Sequence, residues 1–311
     1  MSSERLPSVS LPRLEGLFRL GERIWAARPD VREVHGTVDS WGYWCWMMFN
    51  GAGEHGDLLE ALYPVPEEHL TERVTGAVTL PEFLRNGVVD ANRLHLCLEQ
   101  AGFAFDRPGR MLDFGCGCAR ITRVMARHAD VLELHGCDVD ADAVAWCARE
   151  LDFARFAHVP FEPPTAYPDG HFQAVYGYSV FTHLSEERHL AWLRELARIT
   201  APGAAVVLTT QGRRILRHIR EGRPGMFVTP ETLDARQEEL EERGFLFVPY
   251  GADYARQEEA EHFEEWDMTE YGMTFLLESY VREHWLEDFE LVAFHDAPED
   301  YQDFVVLRRT P

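Results

Sequence analysis

The nine residues 110–118, Arg-Met-Leu-Asp-Phe-Gly-Cys-Gly-Cys, constrain the fold of this 311-residue chain more than any other segment. The apolar residues in the first half of this run predict the end of a buried strand. Gly115 and Gly117 follow, and glycine allows a backbone to turn tightly and to approach a ligand closely. A helix that begins near Ala119 would present free N–H groups to polar ligand atoms. The segment therefore predicts a nucleotide-type binding loop in an α/β fold.

Two kinds of nucleotide loop compete for this pattern. A dinucleotide fold needs Gly-x-Gly-x-x-Gly, in which the third glycine allows helix and strand to pack closely. Arg120 stands at that third position here. The run from Asp113 to Ala119 reads Asp-x-Gly-x-Gly-x-Ala. It resembles motif I of the class I S-adenosylmethionine-dependent methyltransferases, usually Asp/Glu-x-Gly-x-Gly-x-Gly, with alanine in place of the third glycine.

A second strand with an acidic residue at its tip is predicted after the glycine loop. Apolar residues at helical spacing predict a helix over 119–129, and residues 131–137 predict a second strand that Asp138 closes. Asp138 lies 21 residues after Gly117. An acidic side chain at such a strand tip can accept hydrogen bonds from both ribose hydroxyls. Dinucleotide and methyltransferase folds share this requirement, so Asp138 predicts an adenosine ligand without choosing between them.

A further block resembling the same family lies at 179–185, Ser-Val-Phe-Thr-His-Leu-Ser. It follows a predicted strand over 174–179 and resembles the motif IV region, where Phe-Asp-x-Val-Tyr leads into Ser-Val-Phe-Thr-His-Leu. Gln173 stands where that pattern has Asp. Ser185 is a predicted N-cap for the next helix. The apolar run 204–209 is typical of a parallel strand that is buried on both faces.

The resemblance covers about two thirds of the chain and implies its fold. We expect an α/β protein with a Rossmann-like, seven-stranded, mostly parallel sheet flanked by helices. The class I methyltransferase domain would span 106–311, and residues 1–105 would form an N-terminal helical cap or substrate region. An insertion after the fifth strand would span about 212–285. Within it, Thr229 as N-cap and Gly244 past the end frame a helix.

The N-terminal region contains a dense aromatic segment. Residues 11–28 can form an amphipathic helix. Residues 41–49 then contain five aromatic residues and two methionines. This segment could line an aromatic pocket, or it could be the core by which the N-terminal region packs on the sheet domain. Packing is favoured, because aromatic stripes are more often core.

Cysteine usage and charge limit the environment and the partners. The six cysteines form no spaced disulfide framework, which suits a reducing compartment. Cys116-x-Cys118 resembles half of a metal site, but no matching Cys/His pair follows, so no metal site is predicted. The formal net charge of −23 repels phosphate backbones, so no nucleic-acid partner is expected. No segment has the ~20 apolar residues needed to cross a membrane, and we expect a cytoplasmic protein without a membrane partner.

The resemblance implies S-adenosyl-L-methionine as the cofactor and a role for each candidate residue. The backbone of 114–117 would surround the amino-acid part and the ribose, and Asp113 would lie near the amino-acid end unless it only stabilises the turn. Asp138 would hold the ribose and Val139 would pack on adenine, whose edge is expected near residues 157–158. The implied cofactor-binding residues are Asp113, Phe114, Gly115, Cys116, Gly117, Asp138, Val139, Tyr178 and Ser179.

The expected reaction moves a methyl group to a small-molecule acceptor, at oxygen or nitrogen. A hydroxyl or ammonium acceptor needs a general base to take its proton. His183, just past the fourth strand, is the candidate catalytic residue; the alternative is a structural histidine that caps the next helix or packs against the cofactor loop. His171 is a weaker candidate, and Tyr271 could donate a hydrogen bond to the acceptor. A protein that binds S-adenosylmethionine without methylating, and an NAD-dependent oxidoreductase, are the alternatives. The acceptor and the oligomeric state are not determined at this level.

Overall fold

The computed structural model describes residues 12–54, 63–76, 78–223, 228–250, 270–298 and 301–311. The helices of these residues are α1 (Pro12–Ala27), α2 (Pro29–His35), α3 (Trp41–Glu54), α4 (Glu68–Thr75), α5 (Leu80–Gln100), α6 (Thr122–Met125), α7 (Ala141–Glu150), α8 (Glu186–Ile199), α9 (Arg213–Arg220), α10 (Pro230–Arg243) and α11 (Glu278–His284), with a short 3-10 helix (Ala126–His128) after α6. The strands are β1 (Gly109–Phe114), β2 (Leu132–Asp138), β3 (Ala154–His158), β4 (Phe172–Gly177), β5 (Thr200–Thr210), β6 (Phe245–Pro249), β7 (Gly272–Leu276), β8 (Phe289–His295) and β9 (Asp303–Arg309).

Seven of these strands form one mostly parallel sheet, which confirms the predicted Rossmann-like α/β fold. The chain divides into two compact units. The first contains Met1–Leu96 and Ala104–His158, and the second contains Cys97–Phe103 and Val159–Pro311. The expected boundary between a cap and a sheet domain near residue 105 stays a prediction.

The first unit contributes three strands in the order β3-β2-β1, and both pairs are parallel. The aromatic segment of its N-terminal region forms α3, which contacts both α6 and α1. Trp44 is buried, and its indole Nε1 donates to the carbonyl oxygen of Val124 at 2.8 Å. Tyr43 is also buried, and its hydroxyl donates to the carbonyl oxygen of Gly21 on α1. These contacts favour the packing interpretation of residues 41–49.

The second unit contributes β4 and β5 as a parallel pair, with β9 antiparallel between β5 and β8. After β5, the chain forms α9, α10 and the separate antiparallel pair β6–β7. The predicted caps of α10 are confirmed. The Thr229 hydroxyl accepts a hydrogen bond from the Thr232 N–H, and Gly244 has the left-handed φ of +68°. A buried apolar cluster joins these inserted elements: Ile215, Leu216, Ile219, Val228, Leu233, Leu240, Leu246, Met273, Phe275 and Leu277.

In the part of the chain that the structure describes, we find no helix with the length and hydropathy of a membrane span.

Candidate functional site

The glycine loop after β1 turns through three left-handed residues. The φ angles are +76° at Gly115, +49° at Gly117 and +62° at Ala119. The backbone N–H groups of Gly115 and Cys116 both donate to the carbonyl oxygen of Cys137, at 2.8 and 3.0 Å. The loop is therefore held against the tip of β2, next to the predicted ribose-binding residue.

The helix predicted over 119–129 is shorter than expected. Helix α6 begins only at Thr122 and gives way to a 3-10 turn after Met125. The later start follows from Ala119, whose left-handed φ cannot continue into a helical turn. The Thr122 hydroxyl donates to Oδ2 of Asp113 at 2.6 Å, and Asp113 is buried. Asp113 thus ties β1 to the start of α6, as the turn-stabilising interpretation requires.

Asp138 and Gly117 lie together at the end of β2. Oδ2 of Asp138 accepts the N–H of Gly117 at 2.6 Å, and Oδ1 accepts the N–H of Asp140 at 2.9 Å. Burial raises the pKa of the Asp138 carboxyl. A carboxylate has about four lone-pair sites, so two backbone bonds leave capacity for two hydroxyl donors.

The neighbouring cysteines are buried thiols around the same loop. Sγ of Cys147 donates to the carbonyl oxygen of Gly117, and Sγ of Cys118 donates to that of Leu70, both at 3.6 Å. Burial raises the pKa of Cys118 to about 12 and raises that of Cys116 as well. These thiols stay protonated at neutral pH, and they serve here as small packing groups.

The predicted adenine-side residues are also adjacent. The carbonyl oxygen of Val139 lies 3.1 Å from Nε2 of His158, at the end of β3. Phe114 is the last residue of β1 and is buried. The structure therefore groups seven predicted residues, Asp113, Phe114, Gly115, Cys116, Gly117, Asp138 and Val139, in the first unit.

Tyr178, Ser179 and His183 lie in the second unit. The predicted strand over 174–179 ends earlier, at Gly177, because Ser179 takes a left-handed φ of +64°. The N–H of Ser179 donates to the hydroxyl of Thr209 at 2.7 Å. The Tyr178 ring contacts the edge of Phe304, with 6.3 Å between ring centroids.

His183 is held by backbone and aromatic groups of the inserted elements. Its Nδ1 lies 2.9 Å from the carbonyl oxygen of Gly272 and 3.1 Å from the hydroxyl of Tyr250. A carbonyl oxygen can only accept, so Nδ1 carries the ring hydrogen and Nε2 keeps the basic lone pair. Tyr271 stacks on the ring at 5.3 Å. Burial lowers the pKa of His183, so the ring is neutral at pH 7.

Tyr250 and Gly272 were not predicted at this site, since they follow motif IV by more than sixty residues. Tyr271, the predicted hydrogen-bond donor, does lie beside His183. His171, the weaker candidate base, packs edge-on against Phe172 with 4.7 Å between centroids. These contacts depend on the pairing of β7 with β6 and on the bridge between Tyr271 and Leu184 of the motif IV region. The sequence alone therefore did not predict them.

Two buried glutamines form a second feature that was missed. The register of β5 and β9 pairs Thr210 with Asp303, so Gln211 directly follows the paired end of β5 and Gln302 directly precedes that of β9. The two glutamines are 3% and 1% exposed. Nε2 of Gln302 donates to the Ser179 hydroxyl at 2.7 Å. Neither side-chain Oε1 has a hydrogen-bond partner within the described ranges.

Comparison with known proteins finds a family model that includes the motif I loop. Residues 111–203 match the family model described as a methyltransferase domain. A curated malonyl-[acyl-carrier protein] O-methyltransferase from Halorhodospira halophila (strain DSM 244 / SL1) is 31% identical over 115 residues, which are 36% of this chain and 38% of that protein. The chain thus spans less than two fifths of the length of that curated relative.

Two solved structures align with this chain at low identity. The PH0226 protein from Pyrococcus horikoshii OT3 is 14% identical, with a TM-score of 0.46 over 72% of this chain and 91% of that one. An S-adenosylmethionine-dependent methyltransferase from Mesorhizobium loti is also 14% identical, with a TM-score of 0.48 over 70% of this chain and 98% of that one.

The family match, the motif I loop and the mostly parallel sheet all point to the same class of protein. Residues 111–203 match a methyltransferase domain, and the loop within them resembles that of the class I, S-adenosylmethionine-dependent kind. The cofactor of this class is S-adenosyl-L-methionine. The loop residues fit it, because Asp138 keeps acceptor sites for ribose hydroxyls beside a loop of left-handed residues.

Proposed function

We propose that this protein transfers a methyl group from S-adenosylmethionine to a small-molecule acceptor that carries a hydroxyl or an amine. The observation that carries the proposal is the motif I loop, bound to the tip of β2 with Asp138 beside it. The cofactor supplies a methyl group that is already activated on a sulfonium. The main task of the protein is then to hold the acceptor in line, which can contribute ~7–11 kcal/mol toward the barrier.

Asp138 is proposed to accept the ribose hydroxyls, and Val139 to pack on the adenine. The backbone at 114–117 would surround the amino-acid part and the ribose, while Tyr178 and Ser179 would approach the methionine part. The left-handed φ of Ser179 supports this role, because strained backbone is concentrated at ligand sites.

His183 is proposed as the general base. A base must be neutral before it can take a proton, and burial keeps this ring neutral. The Gly272 carbonyl holds the hydrogen on Nδ1, so Nε2 is the atom that would receive the proton of the acceptor. Tyr250 shares the same Nδ1 hydrogen, and Tyr271 stacks on the ring, so both would limit its rotation.

Gln211 and Gln302 are proposed to orient the acceptor. Both side-chain oxygens are buried without a donor among the described residues, and an unsatisfied buried acceptor is costly. A hydroxyl or amine on the acceptor would supply the missing donor. This is the chemistry that a general base at His183 also requires.

The net charge and the curated relative support the proposed class of acceptor. A net charge of −23 opposes binding of nucleic acid, which leaves small molecules as the favoured acceptors. The related protein is named an O-methyltransferase, which supports oxygen as the receiving atom. A carboxylate oxygen carries no proton, so an acceptor of that kind would not need His183.

The first test is calorimetric titration of the protein with S-adenosylmethionine, S-adenosylhomocysteine and NAD in parallel. We expect one-site binding of both adenosyl thioether ligands and none of NAD. The Asp138→Ala variant should weaken both by a large factor, since two hydroxyls lose their charged acceptor. Binding of NAD alone would overturn the proposed cofactor.

The second test measures release of S-adenosylhomocysteine against a panel of phenols, alcohols, amines and carboxylic acids. With an acceptor found, His183→Ala should bind cofactor normally and lower kcat by about 10²–10⁴-fold. Because burial lowers the pKa of His183, the acid limb of wild-type turnover should lie below pH 6.5.

His284→Ala provides the control for this test, since His284 lies on α11 at the surface and pairs with Glu283. Its turnover should match wild type. Full turnover by the His183 variant would show that His183 is not the general base. Tight cofactor binding with no transfer to any panel member would favour a protein that binds without methylating.

A further inference from the structure

Helix α4 of the N-terminal region lies directly on the glycine loop. A Cβ built on Gly117 would meet Cγ2 of Val74 at 2.6 Å, well inside contact distance. The carbonyl oxygen of Leu70, one turn earlier, accepts the Cys118 thiol. Gly117 is also the residue that donates to Asp138. Thus α4 covers the part of the loop that adjoins the proposed ribose site.

Arg73, the residue before Val74, reaches from α4 to the end of β2. Its Nη1 lies 2.8 Å from Oδ2 of Asp140, and the Arg73 side chain is only 10% exposed. The other oxygen of Asp140 caps α7 by accepting the Asp142 N–H at 3.0 Å. The Asp140 N–H in turn donates to Asp138. Asp140 therefore contacts both the Arg73 guanidinium and, through its own N–H, the Asp138 carboxylate that is proposed to hold the ribose.

Among the described residues, the second terminal nitrogen of Arg73 has no hydrogen-bond acceptor. Nη2 is buried, and it makes no hydrogen bond within the described ranges. Guanidinium donors that are removed from water are normally paired, and leaving one unpaired is costly. The neighbouring Asp140 uses one oxygen for Nη1 and the other for the helix cap.

A ribose hydroxyl has the chemistry that completes this arrangement. Each hydroxyl can donate one hydrogen bond and accept two. An ionised Asp138 can only accept, so it can take the hydroxyl hydrogen but cannot satisfy the hydroxyl oxygen. A guanidinium has only donors. An acceptor-only group and a donor-only group are thus both present where the ribose is proposed to bind.

We propose that Arg73 is a cofactor-binding residue, whose Nη2 donates to a ribose hydroxyl oxygen of S-adenosylmethionine while Asp138 accepts the hydrogen of that ribose. This inference rests on the proposed cofactor. It assigns to α4 a direct part in binding, and it makes the ribose the feature that Arg73 recognises. The competing explanation is that Arg73 only fastens α4 to α7 through Asp140.

The test is calorimetric titration of Arg73→Gln and Arg73→Lys with S-adenosylhomocysteine and with its 2′,3′-dideoxy analogue. Both variants lose Nη2, and the lysine keeps a positive charge beside Asp140. We expect each variant to bind S-adenosylhomocysteine about 10- to 100-fold more weakly, the range for a hydrogen bond with a charged partner. The dideoxy analogue has no ribose hydroxyl that Arg73 could contact, so its affinity should differ by less than about threefold between wild type and each variant.

Arg13→Gln is the matched control. Arg13 lies on α1 and also bridges the N-terminal region to α7, where Nη1 donates to the carbonyl oxygen of Glu150 at 2.9 Å. It should bind both ligands like wild type. Thermal melting of every variant checks that the fold is retained.

The outcomes separate this inference from the proposed function. If the wild-type protein does not bind S-adenosylhomocysteine, the proposed cofactor fails before Arg73 is tested. If wild type binds and the two Arg73 variants bind equally well, Arg73 does not contact the cofactor. An equal loss for the ribose ligand and the dideoxy analogue would show that Arg73 acts only by fastening α4, and that result would also overturn the inference.

Discussion

At the level of single residues, Gly117 meets two separate demands. Its φ of +49° lies in the left-handed region, and its missing Cβ leaves room for Val74. The left-handed backbone and the closeness of Val74 both make a side chain at this position unfavourable. Gly36 isolates the first effect, because it has a φ of +72° but no atom within 4 Å of its absent Cβ.

Gly117→Ala should therefore lower stability more than Gly36→Ala does. The left-handed conformation alone costs a non-glycine residue about 1–2 kcal/mol. The clash with Val74 adds about 1–3 kcal/mol of overpacking at Gly117 only. Urea denaturation of the two variants measures both losses. Cofactor affinity should also fall in Gly117→Ala, because its N–H would shift away from Asp138.

Combining Gly117→Ala with Val74→Ala should recover part of that stability, since the clashing methyl group is removed. A double-mutant cycle on unfolding free energies gives this coupling. Purely additive losses would show that α4 moves aside without cost.

At the level of elements, the inserted helices and strands have a core of their own. Residues of α9, α10, β6 and β7 all contribute to the buried apolar cluster, and Tyr250 packs against its edge. The cluster therefore supports the strand end that brings Tyr250 to His183.

Leu246→Ala should destabilise the second unit by about 2–5 kcal/mol, the usual cost of removing a large aliphatic group from a packed core. Leu246 is fully buried on β6. Urea denaturation measures the effect, and Val34→Ala on exposed α2 serves as control within about 0.5 kcal/mol. A loss below about 1 kcal/mol for Leu246→Ala would mean that the insertion is held by other contacts.

Helix boundaries show which features of the fold local sequence patterns predict and which they do not. Ser185 and Thr229 were predicted as N-caps, and both accept the expected backbone hydrogen bond. Their signal is local, because the cap and the N–H group that it accepts are three residues apart. The start of α6 was misplaced, since the left-handed φ of Ala119 results from how the loop is held on β2.

At the level of the whole molecule, buried histidines couple stability to pH. Burial lowers the pKa of His95 to about 3, that of His128 to about 4 and that of His189 to about 3. In the unfolded chain each titrates near 6.5. The unfolded state thus binds more protons between these values, so stability is full above about pH 6.5 and falls as the pH decreases toward 3–4.

His189→Phe should remove one of these contributions. The His189 ring is enclosed by the aromatic residues Phe181, Phe245, Tyr280 and Trp285. Phenylalanine fits such surroundings and cannot be protonated. When the pH is lowered from 6 to 5, the free energy of unfolding should fall by up to ~1.4 kcal/mol less in the variant than in wild type. Urea denaturation at each pH, with pH 8 as the reference, measures this difference. An unchanged pH slope would contradict the buried neutral state of His189.

The glycine loop, the strand patterns and the acidic strand tip were enough to predict the class and the cofactor. These signals are local: each depends on the chemistry of a few neighbouring residues and on the period of a strand or helix. The same local signals indicated His183 and Tyr271, although not the contact between them.

The partners of those residues depended on distant pairings. Tyr250 and Gly272 reach His183 through the pairing of β6 with β7, Gln302 reaches Ser179 through the register of β9 on β5, and Arg73 meets Asp140 through the packing of α4. Each contact joins residues far apart in the chain, and no local pattern encodes which distant residue will fill a given space. Folding of the chain therefore determines which distant residues surround the candidate site. Local sequence patterns alone were enough to predict that the site is of the S-adenosylmethionine-binding kind.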